Sequence, residues 1–596
     1  MNLRLSREPV PLSLILLIPF LASVALYLNV LWNRFVIDDI YQISQNPWIR
    51  NITSIPEIFT SGVWAFAGRE SSYYRPLMHL IYMAAYHVFG LRPWGFHLVS
   101  ILFHAGVSVL VFLITSRLLK ESELGDDRSY LPLSLTAALL FAAHPIHTEA
   151  VAWAAGIPDL SFSFFYLLSF YLYLRSKSGS TMCTTASVIS FFVATLCKEP
   201  ALTLLLILPA CDYAFGDKGS GLPRTLKRVF PYLAAAAVYV VLRMNALGGF
   251  APAKTPIDLT LGQGLMNGFV LFAKYIETLF IPLQLNVWHI FRPVTSLFSP
   301  RAVISLCAFI VFLGVGSLAA RRSNVTFLSL CLMVVPLLPS FYFPALTQGL
   351  ENAFTERYLY LPSFGFVLLI AGVLARIQWT WPQTKVALSV LTLALIGFYS
   401  WVTVTRNAVW KSSYTLWSDA TRKSPESGIP HLNLGYALLY EGRPQEAKEH
   451  FRIALQLKPD VTDSFIDKGI AYSKRGLLDE AIFQFHAALI LEPASAAVHY
   501  NLGLAYDNAG WSNKAIEQYE IALKLKPDSP DAHNNLGIAY GKRGLIDKAI
   551  EHFQQAVQLN SNDPVALQNL ANAYRLKGLP DKAEEVLQRA KRLSRP

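Results

Sequence analysis

Up to about residue 405 the chain alternates long apolar runs with short polar breaks, and beyond it the apolar positions become sparse and periodic. Runs of membrane-spanning length fall near 11–32, 97–118, 131–146, 159–175, 182–198, 200–215, 229–245, 301–320, 325–343, 358–376 and 386–404, which predicts about eleven crossing helices. A further run, GFVLFAKYIETLFIPLQL at 268–285, carries Lys274 and Glu277 and ends at a proline, so it reads as a re-entrant or interfacial helix. Past 405, Gly435, Gly469, Gly503, Gly537 and Ala571 recur every 34 residues, as do Ala447, Ala481, Ala515, Ala549 and Ala583, and Pro459, Pro493 and Pro527. Small residues at that period let the two helices of a unit approach, and the prolines end the second helix before the next unit. The pattern predicts an all-α chain in two parts, a polytopic membrane domain over 1–405 and a helical solenoid over 406–596. The solenoid has about five full units, with Trp417, Ala420 and Pro425 marking a degenerate half unit near 410–425.

Charge sharpens the division. Of 51 basic and 40 acidic residues, 20 and 21 lie from Pro425 onward, leaving 31 against 19 in the membrane part. A basic surplus confined to membrane loops argues against a nucleic-acid partner and for cytoplasmic loops or an anionic ligand. Arg4 with Arg7, Arg117 with Lys120, Arg175 with Lys177, Lys218 to Arg228, Arg321 with Arg322, and Arg376 to Lys385 alternate as cytoplasmic clusters. With eleven crossings, the loop after the first span and the C-terminal solenoid share the other side. The five cysteines fall in apolar runs without paired spacing and read as buried thiols.

Five polar sites sit at loops or span ends on that non-cytoplasmic side: Asp38-Asp39, YYRPL (Tyr73 to Leu77), HPIHTEAVAWAAGIPD (144–159), Lys198-Glu199 and TERYLYLP (355–362). An ionisable group near hydrocarbon is costly and marks a candidate site, although a single one is accounted for equally well by snorkelling. The His144, His147, Glu149 spacing, H-x-x-H-x-E with a proline inside, does not match the helical metal motif HExxH. His144 reads as a cap at a span end, with His147 or Glu149 lining a cleft, and His79, His87, His97 and His104 read as interhelical hydrogen-bonding groups. In the solenoid, Asn433, Asp467, Asn501, Asn535 and Asn569 recur two positions before the small residue of each first helix. Such a ladder of amides could hold an extended polypeptide, or could serve local packing.

The 34-residue units resemble the tetratricopeptide repeat. The membrane part, with an acidic pair in its first non-cytoplasmic loop and cations in later ones, resembles a GT-C glycosyltransferase. FVIDD, YYRPL, HPIHTEAVAW with Asp159, CKEPALT and ERYLYLPSFGF, in that order and followed by repeats, resemble the transmembrane and tetratricopeptide-repeat-containing family of protein O-mannosyltransferases and its bacterial relatives.

The resemblance implies transfer of a hexose, mannose in that family, from a polyprenyl-phosphate carrier to Ser or Thr of a secreted polypeptide. It implies Asp38 as the base that takes the hydroxyl proton, with Asp39 either orienting the acceptor or in a helper role. Arg75, Lys198 and Arg357 are the candidates for the leaving lipid phosphate, with Tyr358 and Tyr360 as hydroxyl donors. His144, His147, Glu149, Asp159, Glu199 and Glu356 are candidates for the acceptor cleft. The repeat ladder of Asn433, Asp467, Asn501, Asn535 and Asn569 is similar to the asparagine ladder of nucleocytoplasmic O-GlcNAc transferase and would bind the acceptor. A sugar linked to its carrier through a single phosphate needs no diphosphate clamp, so no obligatory metal or other cofactor is expected.

Two alternatives stand beside this reading: a GT-C transferase acting on a lipid or cell-surface glycan, and a non-catalytic membrane scaffold whose repeats dock other proteins. The short array and the ending KRLSRP favour a bacterial inner membrane with periplasmic repeats; in a eukaryote the same topology places them in the endoplasmic reticulum lumen.

Overall fold

Proline opens many of the helices: Pro76, Pro93, Pro158, Pro300 and Pro362 all lie in first turns, where the missing N–H leaves no backbone bond unmade. The computed structural model describes residues 11–593 apart from 70, 123–129, 178, 217–221, 250–259, 297, 342–352 and 459–460. Arg4, Arg7, Lys218, Pro459 and the last two positions of the expected span 325–343 lie outside the described residues. Every regular element among the described residues is helical. Backbone contacts divide the chain into two units, 1–424 and 425–596. The helix Ser413–Lys423, which carries Trp417 and Ala420, lies in the first.

In the first unit, seven helices among the described residues are long and apolar enough to cross a membrane: Leu12–Trp32, Pro93–Glu121, Ala154–Ser176, Pro223–Leu247, Pro300–Ala320, Asn324–Phe341 and Pro382–Lys411. An eighth forms if Tyr130–Ala143 and Pro145–Ala152, bent by 47° at His144, are one span. The expected spans at 182–198 and 358–376 fold as shorter apolar helices, Thr181–Cys197 and Pro362–Gln378, and 200–215 contains the 12-residue helix Leu204–Phe215. Length and composition alone therefore do not reach eleven. The stretch expected to be interfacial folds as Leu261–Phe280 and is not among the seven.

The main core gathers around Pro93–Glu121, Tyr130–Ala143 and Ile157–Ser176. Small polar side chains join these helices: Ser23 Oγ donates to Ser108 Oγ (2.8 Å), Tyr232 to Ser187 (2.6 Å), and Thr403 Oγ1 to the Ala143 carbonyl (2.8 Å). Between the first span and Pro93 the chain builds a lobe with its own core, where Trp48 packs edge-on against Phe66 and His79, over Ile49, Ile58, Met78 and Tyr82. That lobe holds the segment bearing the acidic pair.

The second unit is five helix pairs among its described residues, from Gly428–Tyr440 with Pro444–Leu457 to Pro564–Leu576 with Pro580–Leu593. The glycines at the 34-residue period face an aromatic ring. A Cβ at Gly503 would sit 2.6 Å from the Tyr519 ring, and one at Gly537 2.7 Å from Phe553. A second glycine series, Gly442, Gly476, Gly510, Gly544 and Gly578, turns the chain between the helices of each pair at φ between 72° and 78°, which favours a residue without Cβ.

Candidate functional site

Ile37 has φ +50°, and among the described residues it is the one non-glycine in the left-handed region. For a β-branched residue that costs about 1–2 kcal/mol. The turn separates the two acids that follow it. Asp39 is fully buried and folds back so that Oδ2 accepts the Val36 N–H (2.9 Å) and Oδ1 the Ala155 N–H (2.6 Å), tying the first loop to the segment before Ile157–Ser176. Asp38 is half-buried and has no hydrogen-bonded or ion-paired partner among the described residues. Burial pushes the Asp39 carboxyl up to about 8, against the pull of the Val36 and Ala155 N–H groups and with a further push from Asp38. Burial also raises Asp38, while Arg357 and Arg69 hold it down. The pair thus divides into a carboxyl fixed by backbone donors and a carboxylate facing two guanidinium groups.

Arg357 stands on the short 3-10 helix Glu356–Leu359. Its Nη1 donates to Glu149 Oε1 (2.7 Å), its backbone N–H to Glu149 Oε2 (3.0 Å), and its Nε lies 3.9 Å from Asp159 Oδ2. The guanidinium lies over Trp153, 5.1 Å from the ring centre. Lys198, at the end of Thr181–Cys197, gives Nζ to Asp159 Oδ1 (2.5 Å) and lies 4.9 Å from the centre of the Tyr358 ring. Burial pulls Lys198 down to about 8, opposed by Asp159 but reinforced by Arg75 and Arg357. Arg75 gives both Nε (3.0 Å) and Nη2 (2.9 Å) to Glu199 Oε2, and Arg243 reaches Glu199 Oε1 (3.2 Å). Glu199 is held low: burial opposes this, but Arg75 and Arg243 outweigh it. Two sets of ion pairs are thus adjacent along the chain at Lys198-Glu199: Glu149–Arg357–Asp159–Lys198, whose Arg357 faces Asp38, and Arg75–Glu199–Arg243.

The structure brings Asp38, Asp39, Arg75, Lys198, Arg357, Tyr358, Glu149, Asp159 and Glu199 into this neighbourhood. It carries four other candidates away from it. Tyr360 is fully buried, its hydroxyl 2.8 Å from His104 Nδ1. His147 lies in the same interior cluster, with Nε2 2.8 Å from Ser363 Oγ. His144 caps the turn at the bend, accepting the Ile146 N–H on Nδ1 (3.2 Å) with Nε2 at the Leu279 carbonyl (3.1 Å). Glu356, one residue from Arg357, points the other way to His289 Nε2 (2.8 Å) and the Asn286 N–H. Neither histidine lines an open cleft, because both are fully buried in the helix packing, where His144 uses both ring nitrogens and His147 only Nε2. Glu149 turns away to Arg357 while the His144 and His147 ring centres lie 5.8 Å apart, and among the described residues no three His, Cys, Asp or Glu side chains gather as a metal-binding set.

Of the histidines expected to bridge helices, His104 does so, to Tyr360 and the Ala142 carbonyl, whereas His97 is buried with no hydrogen-bond partner on either ring nitrogen among the described residues. His79 Nδ1 lies 3.2 Å from Asn46 Nδ2, and His87 bonds Met83 in its own helix (2.9 Å). Sequence reasoning missed Arg243, Trp153 and Ile37. A lone arginine inside the apolar run LAAAAVYVVLRMNAL was the available signal for the first; for Ile37 there was none.

In the repeats, the ladder amides spend their N–H groups locally. Asn433 and Asn501 donate to carbonyls four residues back (2.9 Å each), Asn535 to Tyr500 (2.9 Å) and Asn569 to Asn534 (2.9 Å). Their Oδ1 atoms have no partner among the described residues, and Asp467 is exposed. The ladder thus presents acceptors.

The tetratricopeptide repeat family matches residues 429–461, 530–563 and 552–585, and a TPR repeat description matches 512–544. Protein O-mannosyl-transferase TMTC3 of Homo sapiens is 29% identical over 497 residues, covering 75% of this chain and 52% of the relative. The human TMTC1 protein is 27% identical, covering 74% of this chain and 54% of itself, and the human TMTC4 protein 28%, covering 70% and 63%. The chain thus spans between about half and two thirds of the length of these relatives. The crystal structure of MamA is 27% identical and covers 27% of this chain and 94% of its own, at a TM-score of 0.23. The chain carries tetratricopeptide repeats in its C-terminal unit and several helices long and apolar enough to cross a membrane in the other, and it is similar in sequence to the protein O-mannosyl-transferases named TMTC.

Proposed function

We propose that the protein is a membrane glycosyltransferase that moves a hexose, mannose by analogy with the named relatives, from a polyprenyl-phosphate carrier to Ser or Thr of a polypeptide. The observation that carries this reading is the unpartnered Asp38 facing Arg357, beside the Lys198 and Arg75 ion pairs. A hydroxyl is a weak nucleophile at neutral pH, and Asp38 takes its proton as the oxygen attacks the anomeric carbon. The bond from that carbon to the phosphate oxygen breaks, and the phosphate leaves with the electron pair. Arg357, Lys198 and Arg75 offset its growing charge, and Tyr358 lies between the first two. One displacement inverts the anomeric centre. Asp39, tied to two backbone N–H groups, sets the direction of Asp38 rather than contacting the acceptor. The open Oδ1 atoms of the repeat ladder suit the backbone N–H groups of an extended acceptor.

Mass spectrometry of exported proteins from cells carrying wild type, no protein, or Asp38→Asn tests this. Ser- or Thr-linked hexose present only with wild type supports it. A modification unchanged in all three removes the protein-acceptor reading; loss of a glycolipid or surface glycan instead assigns the alternative acceptor, and no change in either leaves the scaffold.

A further inference from the structure

Apart from the Asp38 site, the first unit has a cleft of about 890 Å³ lined by Lys274, Glu277, Asn286, His289, Arg301 and Lys423, among others. Its charges do not balance. Lys274 and Glu277 pair with each other (3.2 Å). Lys423 gives Nζ to Asp419 (2.7 Å), but Arg406 (3.0 Å) and Arg422 (2.6 Å) share that carboxylate. The next acid, Glu356, lies 3.8 Å from Arg406 and already accepts from His289. Three cations thus share two carboxylates. Arg301 has no acid partner among the described residues: its Nη1 donates to the Arg292 carbonyl (3.1 Å) and its guanidinium rests 5.6 Å from the Phe291 ring centre. The surplus is about two positive charges at the cleft. Lys423 reports it, its pKa lowered by burial and by Arg406.

Arg301 stands in the first turn of Pro300–Ala320, the most apolar of the candidate spans. Ile304, Val311 and Leu318, seven residues apart, are each more than 60% exposed and make one outward apolar face below it, and Phe298 beside it is exposed. A cation at a span's end above such a face lies at headgroup depth.

We infer that this cleft binds the phosphate headgroup of an anionic membrane lipid, whose chains lie along the Ile304–Val311–Leu318 face. The site is separate from the one proposed for sugar transfer, because Glu356 and Arg357 point from the same short helix in different directions, and it does not depend on that reading.

The test uses full-length protein in detergent, titrated with phosphatidylglycerol, phosphatidylcholine or inorganic phosphate, with bound lipid read by native mass spectrometry. Phosphatidylglycerol is retained and phosphatidylcholine is not. Arg301→Gln weakens retention about tenfold, as loss of one charge-assisted bond does. Arg322→Gln, beyond the other end of the same helix, and Asp38→Asn both bind as wild type. Equal retention of the two lipids, or unchanged binding in a folded Arg301→Gln, overturns the site. Inorganic phosphate that displaces phosphatidylglycerol at equal concentration makes it a free-anion site and overturns the lipid assignment.

Discussion

Arg357 is held by Glu149 at two points, one carboxylate oxygen taking the guanidinium and the other the backbone N–H of the same residue. The grip fixes both where the side chain starts and where it ends. A lysine at 357 keeps the charge but loses the fork and the ring stacking. Arg357→Lys is expected to lower hexose transfer by about tenfold or more, the worth of one charge-assisted bond. Its Tm should fall by only a few degrees, since the backbone N–H bond to Glu149 survives. Transfer assays alongside thermal unfolding check this.

Asp38 and Asp39 should separate cleanly. Asp38 has no hydrogen-bonded partner to lose among the described residues, so Asp38→Asn leaves Tm unchanged while turnover falls by about 10²–10⁴, the usual worth of a general base. Asp39→Asn replaces one acceptor oxygen with a donor facing a backbone N–H, and is expected to cost about 1–3 kcal/mol of stability. Parallel measurement of turnover and unfolding distinguishes the two.

The buried Asp39 also gives stability a pH dependence of definite sign. Its folded pKa, about 8, lies above its ordinary value of 3.8, so the native state binds the proton more tightly than the unfolded chain. The protonated group's contribution is full below pH about 4 and is lost as pH rises through about 8. Tm between pH 6 and 9 should therefore fall more steeply for wild type than for Asp39→Asn. Parallel curves would exclude this carboxyl as the cause.

Lys198 predicts the alkaline limb of the rate. With its pKa near 8, kcat/KM declines as pH rises past that value, because the free enzyme loses a phosphate-binding cation. A bound lipid phosphate raises the pKa, so the limb in kcat lies at higher pH. Superimposable limbs would remove Lys198 from the donor site.

In the solenoid, Gly537→Ala forces a methyl against Phe553 and is expected to cost about 1–3 kcal/mol. Asn501→Ala with Asn535→Ala removes two outward acceptors and should raise KM for a polypeptide acceptor while leaving kcat in place.

Much of this was legible before any coordinates. The repeat was readable because each unit must solve the same packing problem, and Gly435 and its successors recur wherever an aromatic ring needs room. The polar sites in apolar surroundings were readable because few neutral reasons keep an arginine there. What one sequence could not give was direction. His147 and Glu149 are two residues apart, yet one ends in a buried histidine cluster and the other on Arg357. Tyr358 faces Lys198 while Tyr360 faces His104. The span count overreached for a related reason: hydropathy does not tell a crossing helix from a short apolar helix such as Thr181–Cys197. The cleft around Arg301 and Lys423 joins residues more than a hundred positions apart, a separation no local pattern bridges.

The 3-10 helix Glu356–Leu359 has a consequence for what sequence change this region can accept. At three residues per turn, each step rotates the next side chain by about a third of a circle. Inserting one residue before Glu356 would swing its carboxylate to where the guanidinium stood, toward Asp38, and deleting one there would swing the guanidinium toward His289, so either change puts a charge of the wrong sign into one of two polar neighbourhoods. Point replacements here weaken one contact at a time. A frame-preserving length change does not, so descendants of this chain should vary the letters of this stretch long before they vary its spacing.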